Sequence, residues 1–331
     1  MPKETITVEQ EVEAIDSLHH ELHANHDEED DHHGHHELTA RTLWQTIPMM
    51  LFWVALQTTA AILIYKFAFP NMYASEIGKP GQIILWTVLM GIPLSLFEYL
   101  YHRYLLHSAV LPFLGSMHNA HREHHGLTYV RAAVTPKEPE HTAPVDNAYP
   151  IEQSHQEESM MFPAFAISAF FLVFTLLLAV PFKLVFKSQP IYFATLMSSL
   201  CFYLGYEIWH AILHLPYDKF WKPRLMRSKT TRYVYGFHLM HHWRPTSNLA
   251  VVGLWGVALW DHLFATHHRP ERLPVKGAMV KFADAKLAKV RWPISVLDKW
   301  QPPMFKWSRK VETKLRTLPK ATHSPLNQTR A

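Results

Sequence analysis

Residues 83–107 read IILWTVLMGIPLSLFEYLYHRYLLH. An apolar run, Ile83–Phe97, gives way at Glu98 to an aromatic stretch that carries His102 and His107. About 15 apolar residues at about 1.5 Å each fall a little short of the hydrocarbon layer of a bilayer. The run therefore reads as a span whose C-terminal end crosses the interface and continues as helix into water. The pattern recurs at residues 191–214, IYFATLMSSLCFYLGYEIWHAILH, where the run Ile191–Tyr206 stops at Glu207 and His210 and His214 follow.

Two fuller spans precede these. Leu43–Phe67 is broken only by Lys66, and Met160–Phe182 ends before Lys183. Four spans place both termini on one side. Residues 216–331 hold 22 of the 32 Lys and Arg with only six acids, which makes that side cytoplasmic. Pro70–Gly81 and Lys187–Pro190 are then links on the far side. With 11 glycines and no alternating apolar pattern, helix is expected throughout. The expected fold is an all-α integral membrane protein with about four transmembrane helices, and everything rich in histidine falls on its cytoplasmic face.

Other segments read by composition. Residues 1–41 carry twelve acids against Lys3 and Arg41, with eight histidines in HHELHANHDEEDDHHGHHE, and cannot bury a core. They read as a disordered acidic tail ahead of a membrane-embedded domain at 42–270. Residues 126–159 are rich in Pro and acids and read as a surface loop. Leu249–Trp260 is apolar but too short to span, which suggests a buried or interfacial helix. Residues 271–331 are basic with Trp292, Trp300, Phe305 and Trp307, a pattern suited to a segment on the membrane surface, with the last dozen residues disordered. Beside spans, this basic stretch points to anionic lipid and away from nucleic acid. The single cysteine, Cys201, lies in an apolar run and reads as core packing.

Histidine is the dominant anomaly, at 25 of 331 residues. Ten fall into four clusters: His102 and His107 (HX4H); His121, His124 and His125 (HX2HH); His210 and His214 (HX3H); His238, His241 and His242 (HX2HH). Helix positions i, i+3 and i+4 share a face, so each HX2HH is expected to aim its imidazoles at one point. HX4H is the awkward pair, because i and i+5 point about 140° apart on an ideal helix. It serves one centre only if the helix bends or ends there, or if its members reach different metals. Ten imidazoles exceed one ion and suit two, and imidazole suits iron, zinc and copper. Glu98, Glu207 and Asp261 are candidates to orient imidazoles through their second nitrogens. His118, His141, His155, His262, His267, His268 and His323 read as surface or outer groups. Each half of the chain runs long span, short span, Glu, paired histidines, HX2HH, which suggests a pseudo-twofold pairing of 43–125 with 160–242.

At these motifs the chain resembles the fatty acid hydroxylase/sterol desaturase superfamily of integral membrane di-iron enzymes. The resemblance covers roughly residues 85–268 and includes WDHLFAT at Trp260–Thr266, similar to the family's WDxLFGT with Ala265 in place of glycine. The order HX4H, HX2HH, HX3H, HX2HH is most similar to the fatty acid 2-hydroxylase branch. Carried over by position, the resemblance makes His102, His107, His121, His124, His125, His210, His214, His238, His241 and His242 the ligands of a dimetal site. It implies four transmembrane helices under a cytosolic helical cap with the dimetal site at their junction, two iron ions, O2 as co-substrate and hydroxylation of a membrane lipid, most naturally a fatty acyl chain. Zinc would enter the same imidazoles readily. The sequence holds no HPGG-type haem-binding motif, so the expected electron source is a separate cytochrome b5- or ferredoxin-type reductase system. The 126–159 segment is longer than that branch leads one to expect. Desaturation or sterol methyl oxidation could run on the same centre. A metal transporter is the reading from another class, but it calls for polar ligands near mid-membrane, whereas these histidines begin where the apolar runs end. The membrane is a bacterial inner membrane or the endoplasmic reticulum.

Overall fold

The computed structural model describes residues 43–132, 141–152, 156, 160–225, 227–269 and 273–316. The chain divides into two units at Ala40 and Arg41, and the first lies outside the described residues. So do the acidic tail with its histidines, parts of the 126–159 segment, His155, His323 and the C-terminal dozen.

Helix dominates. In order run α1 (Leu43–Ala68), α2 (Pro70–Ile77), α3 (Pro80–Tyr101), a π-helical turn (His102–Leu106) and α4 (Gly115–Leu127). Then come β1 (Val130–Ala132), β2 (Thr142–Asn147), α5 (Ala166–Phe174), a π turn (Thr175–Ala179), α6 (Val180–Val185) and α7 (Ile191–Leu213). A third π turn (Tyr217–Trp221), α8 (Lys222–Leu225), α9 (Lys229–Trp243), α10 (Leu259–Phe264), β3 (Met279–Lys281) and α11 (Ile294–Arg316) complete the order. Four helices are long and apolar enough to cross a membrane: Gln45–Ala68, Pro80–Leu106, Ala166–Val185 and Ile191–Leu213.

α7 is the most enclosed of the four and pairs most extensively with α3. Met90 and Leu94 of α3 pack with Phe174, Ala179, Ile191 and Phe202. Met50 and Val54 of α1 pack with Ala166, Ile167, Phe171 and Tyr203. The outward faces remain apolar: Phe67 is 73% exposed and Leu184 69%. Water would penalise such faces and lipid would not. Cys201, expected in the packed interior, lies exposed on α7. At the end remote from the histidines, Lys183 pairs with the buried Glu76 at 2.5 Å, and Glu76 also accepts the Phe193 N–H at 2.9 Å.

Two expectations give way. The 126–159 segment holds two strands of a three-stranded antiparallel sheet, ordered β1-β2-β3. Val145 of β2 lies opposite Ala132 of β1, and Ala143 opposite Val280 of β3. Its Pro and acid content masked alternation: Ala143, Val145 and Asn147 are buried while their neighbours face out. The segment also carries Tyr149, fully buried against Tyr235 and His214.

The second correction concerns Leu249–Trp260, where only Leu259 onward is helical. Residues 249–258 form a loop lodged against α3 and α7. A Cβ on Gly91 of α3 would lie 2.4 Å from Trp255 Nε1, and Gly205 of α7 faces Val252. Glycine in those helices opens the space that the loop fills. Gly253 takes φ +59, and a Cβ there would lie 2.4 Å from the Val257 carbonyl. Apolar composition predicted burial for Leu249–Val251, while Trp255 and Val257 stay exposed; helix failed because this backbone has better partners than its own. Glu98 accepts from the N–H groups of Val251 (2.7 Å), Val252 (2.8 Å) and Gly253 (2.9 Å). Asp261 accepts from Leu249 and Ala250, both at 3.0 Å, and from the Thr266 hydroxyl at 2.8 Å. Irregular backbone at this depth is tolerated only when its donors are met.

Glu98→Ala orphans two buried donors and one partly buried one, at about 1–3 kcal/mol for each buried group. Thermal unfolding in detergent is expected to show a large loss for Glu98→Ala and a smaller one for Glu98→Gln, which keeps one acceptor oxygen. Equal midpoints for wild type and Glu98→Ala would rule out the clamp.

Candidate metal centre

All ten histidines of the four clusters meet at one end of the α3–α7 pair. The C-terminal ends of α3 and α7 supply His102 and His210, and His214 caps α7. α4 supplies His121, His124 and His125, and α9 supplies the last three. α9 begins where Ser228 accepts from the Thr230 and Thr231 N–H groups, a side-chain cap that fixes its phase.

The π turn resolves the awkward pair. The His107 N–H donates to the His102 carbonyl at 3.1 Å, an i→i+5 bond that brings residues five apart onto one face. The two rings stack at 5.0 Å and 18°.

The triads do not each aim at one point. One group of nitrogens comes from His102, His107, His121, His125 and His241, all within 4.8 Å of one another. The other comes from His124, His210, His214 and His242 under the same bound. His238 joins the second group, with Nε2 3.1 Å from His214 Nε2. Helix phase explains the split. At about 100° per residue, i and i+4 lie about 40° apart, whereas i+3 diverges by about 60° on the other side. His121 and His125 therefore stay with the pair from α3 and its π turn, and His124 crosses over. His238 and His242 stay with the pair at the end of α7, and His241 crosses back. Each half of the chain gives four imidazoles to its own group and one to the other.

Three tautomers are fixed by backbone carbonyls. Nδ1–H donates from His102 to Leu249 O (2.6 Å), from His214 to Tyr149 O (2.8 Å) and from His241 to Ser247 O (2.9 Å). Each of these rings turns a bare Nε2 inward. There Nε2–Nε2 distances are 3.2 Å for His102–His121, 3.2 Å for His107–His241 and 3.1 Å for His107–His121. The carboxylates proposed to touch imidazoles do not. Glu98 and Asp261 hold the 249–253 backbone, one bond further out, so the loop places the Leu249 carbonyl on His102. Glu207 accepts the Phe162 N–H at 3.1 Å and meets no histidine of either group.

Sequence reasoning missed the orienting groups because most are main-chain carbonyls, which carry no residue signature. Tyr149 also stacks on His214 at 4.4 Å, and Thr128 Oγ1 lies 3.3 Å from His242 Nδ1. Asn248 donates to Phe237 O at 2.9 Å and accepts the His268 N–H at 2.6 Å, pinning the loop to α9. His118, read as a surface or outer group, is buried and donates to Leu106 O at 2.7 Å, beside His107 of the first group. His262 and His267 stack on each other at 4.0 Å, away from both groups. His141 is exposed.

The donor set fits metal. Both ring nitrogens of His124 and His125, Nδ1 of His238, and Nε2 of His242 are buried without a hydrogen-bond partner. A buried polar atom left so costs about 1–3 kcal/mol, which a coordinated cation would offset. Burial, reinforced by the neighbouring imidazoles, holds His107, His121, His124, His125, His238, His241 and His242 well below the usual histidine range. Burial lowers His214 to about 4. The neutral imidazole that a metal needs is the form the fold enforces. No protein-family model, curated protein or solved structure matches the chain.

The unfolded chain takes up imidazole protons near the ordinary value of about 6.5. Folded His214 does not until about 4. Between those values the unfolded state binds more protons, so stability is complete above the window and is lost as pH falls through it. The unfolding midpoint of metal-stripped protein is expected to drop across that window; a midpoint unchanged through it would contradict neutral, buried imidazoles.

Proposed function

We propose that the chain is a membrane-bound oxidoreductase that hydroxylates a lipid, most naturally a fatty acyl chain, at a di-iron centre held by the two groups of five imidazoles. The observation that carries the reading is the reciprocal exchange of His124 and His241. Two adjacent sites share both triads, and the pair sits at the ends of helices apolar enough to span a bilayer. A transporter would place its ligands along the path through the spans; here the imidazoles gather at one end.

The iron pair, when bound, supplies activation of O2 and the oxidising power for an unactivated C–H bond. The chain's own residues bind, orient and keep dry. Leu249, Tyr149 and Ser247 carbonyls fix His102, His214 and His241. Eight of the ten imidazoles are buried, and His107 and His125 are partly so. Between α3, α5 and α7 an aromatic wall leads to the second group: Phe97 meets Phe174 at 4.8 Å, Tyr101 meets Phe170 at 5.7 Å, and Tyr206 meets His210 at 5.4 Å. Such a wall suits an apolar chain that arrives from the bilayer without crossing water. The electrons come from a separate reductase system, and desaturation is the alternative outcome on the same centre. The basic C-terminal third supports a site on the cytoplasmic side.

Protein reconstituted anaerobically with ferrous iron is expected to hold two ions per chain. His124→Ala and His241→Ala are each expected to lower that number and to cut lipid oxidation by more than about 100-fold, beyond what loss of an outer partner costs. The readouts are metal analysis and lipid profiling of cells with and without each variant. Full lipid oxidation in either variant would refute the reading, as would two bound irons with no O2-dependent lipid product.

A further inference from the structure

α11 has three sectors. Ile294, Asp298, Phe305, Ser308 and Glu312 face the protein. Ile294 and Ser308 are buried. Arg103 donates to both Asp298 oxygens, at 2.9 and 2.7 Å, and Tyr104 donates to the same carboxylate at 2.8 Å. Phe305 meets the His118 ring at 6.1 Å, and Glu312 accepts the Phe113 N–H at 3.0 Å. The inward face is therefore bolted to the stretch between His102 and His121; Arg103 itself lies inside the π turn.

The outward face is not uniformly polar. At about 100° per residue, Val296, Leu297, Trp300, Trp307 and Leu315 fall in one sector about 100° wide that flanks the buried face. They are exposed, Trp300 at 63% and Trp307 at 49%. Lys299, Lys306 and Lys310 occupy the adjoining sector and are also exposed. Nearby, Phe113 is 73% exposed and takes φ 72, a left-handed conformation that a bulky residue adopts only when held there. The Glu312 contact supplies that hold. Water does not account for tryptophans and a strained phenylalanine displayed together, with a row of lysines along one edge. An anionic bilayer surface accounts for all three, since apolar residues enter the acyl boundary and ammonium groups meet the headgroups.

We propose that α11 is an in-plane anchor that docks on an anionic lipid surface, Trp300 and Trp307 in the apolar boundary and Lys299, Lys306 and Lys310 at the headgroups. Through Asp298 and Glu312 the anchor ties the segment carrying the first histidine pair and triad to the plane of the membrane. The proposal needs no metal and stands apart from the catalytic reading.

The full chain with Cys201→Ser leaves no native thiol to compete for a nitroxide label. Trp300→Cys and Lys306→Cys variants are labelled and reconstituted in phosphatidylglycerol-containing bilayers and in phosphatidylcholine alone. Accessibility to O2, which partitions into lipid, is compared with accessibility to an aqueous nickel chelate. The label at 300 is expected to favour O2 and the label at 306 the chelate. The contrast is expected to deepen with the anionic lipid and shrink on charge reversal of Lys299 and Lys310. A label at 300 as open to the chelate as that at 306 would overturn the anchor. So would insensitivity to lipid charge, or spin–spin coupling between chains, which would mark a second copy as the occupant. Trp307→Cys provides the same reading should the change at 300 impair folding.

Discussion

Ten imidazoles crowded together, three of them with a bare Nε2 turned inward, form an arrangement that is costly in itself. Nε2 atoms of His107, His121 and His241 lie 3.1–3.2 Å from a neighbouring Nε2, and several ring nitrogens have no partner at all. In a low-dielectric setting each such atom raises the free energy of the fold. Proton uptake would relieve none of this, because burial and mutual repulsion disfavour the charged form. A cation in each group would convert the same geometry into a stabilising one, and the rest of the architecture can be read as the means of holding that geometry.

Main-chain atoms carry much of the burden. The 247–253 loop presents the Ser247 and Leu249 carbonyls to two imidazoles while its N–H groups are taken up by Asp261 and Glu98. Burying such a loop against two apolar helices would be prohibitive with its donors unpaired. Two carboxylates meet five donors, and two helix glycines make the room. The sheet contributes in the same way from the other side: β2 leads directly into Tyr149, whose carbonyl fixes His214 and whose ring covers it. The first group is held from outside as well, by the Arg103–Asp298 pair.

Symmetry in the site follows from helix phase. Identical HX2HH motifs on α4 and α9 each keep i and i+4 together and send i+3 across. The two groups are thereby locked to a fixed separation by two short, rigid helices. Sharing triads in this manner means that neither group is complete without the opposite half of the chain.

Hydropathy determined the four long apolar helices, and histidine spacing singled out the ten side chains that converge, because both signals are local and repeat with helical period. Spacing alone also exposed HX4H as the pair that a regular α-helix cannot serve. Tertiary structure decided the rest. A π turn, set by its i→i+5 bond, aligns His102 with His107. The packing of α4 and α9 at the α3–α7 ends brings both triads to one place, so that the i+3 members, set apart by helix phase, reach the opposite group. Main-chain carbonyls orient the rings, Glu98 and Asp261 grip a loop in place of a ring, and Ala143 and Val145 turn a Pro-rich stretch into a strand. These outcomes depend on backbone groups and on residues more than a hundred positions apart, as with Glu98 and Val251, and neither leaves a periodic trace in the order of residues.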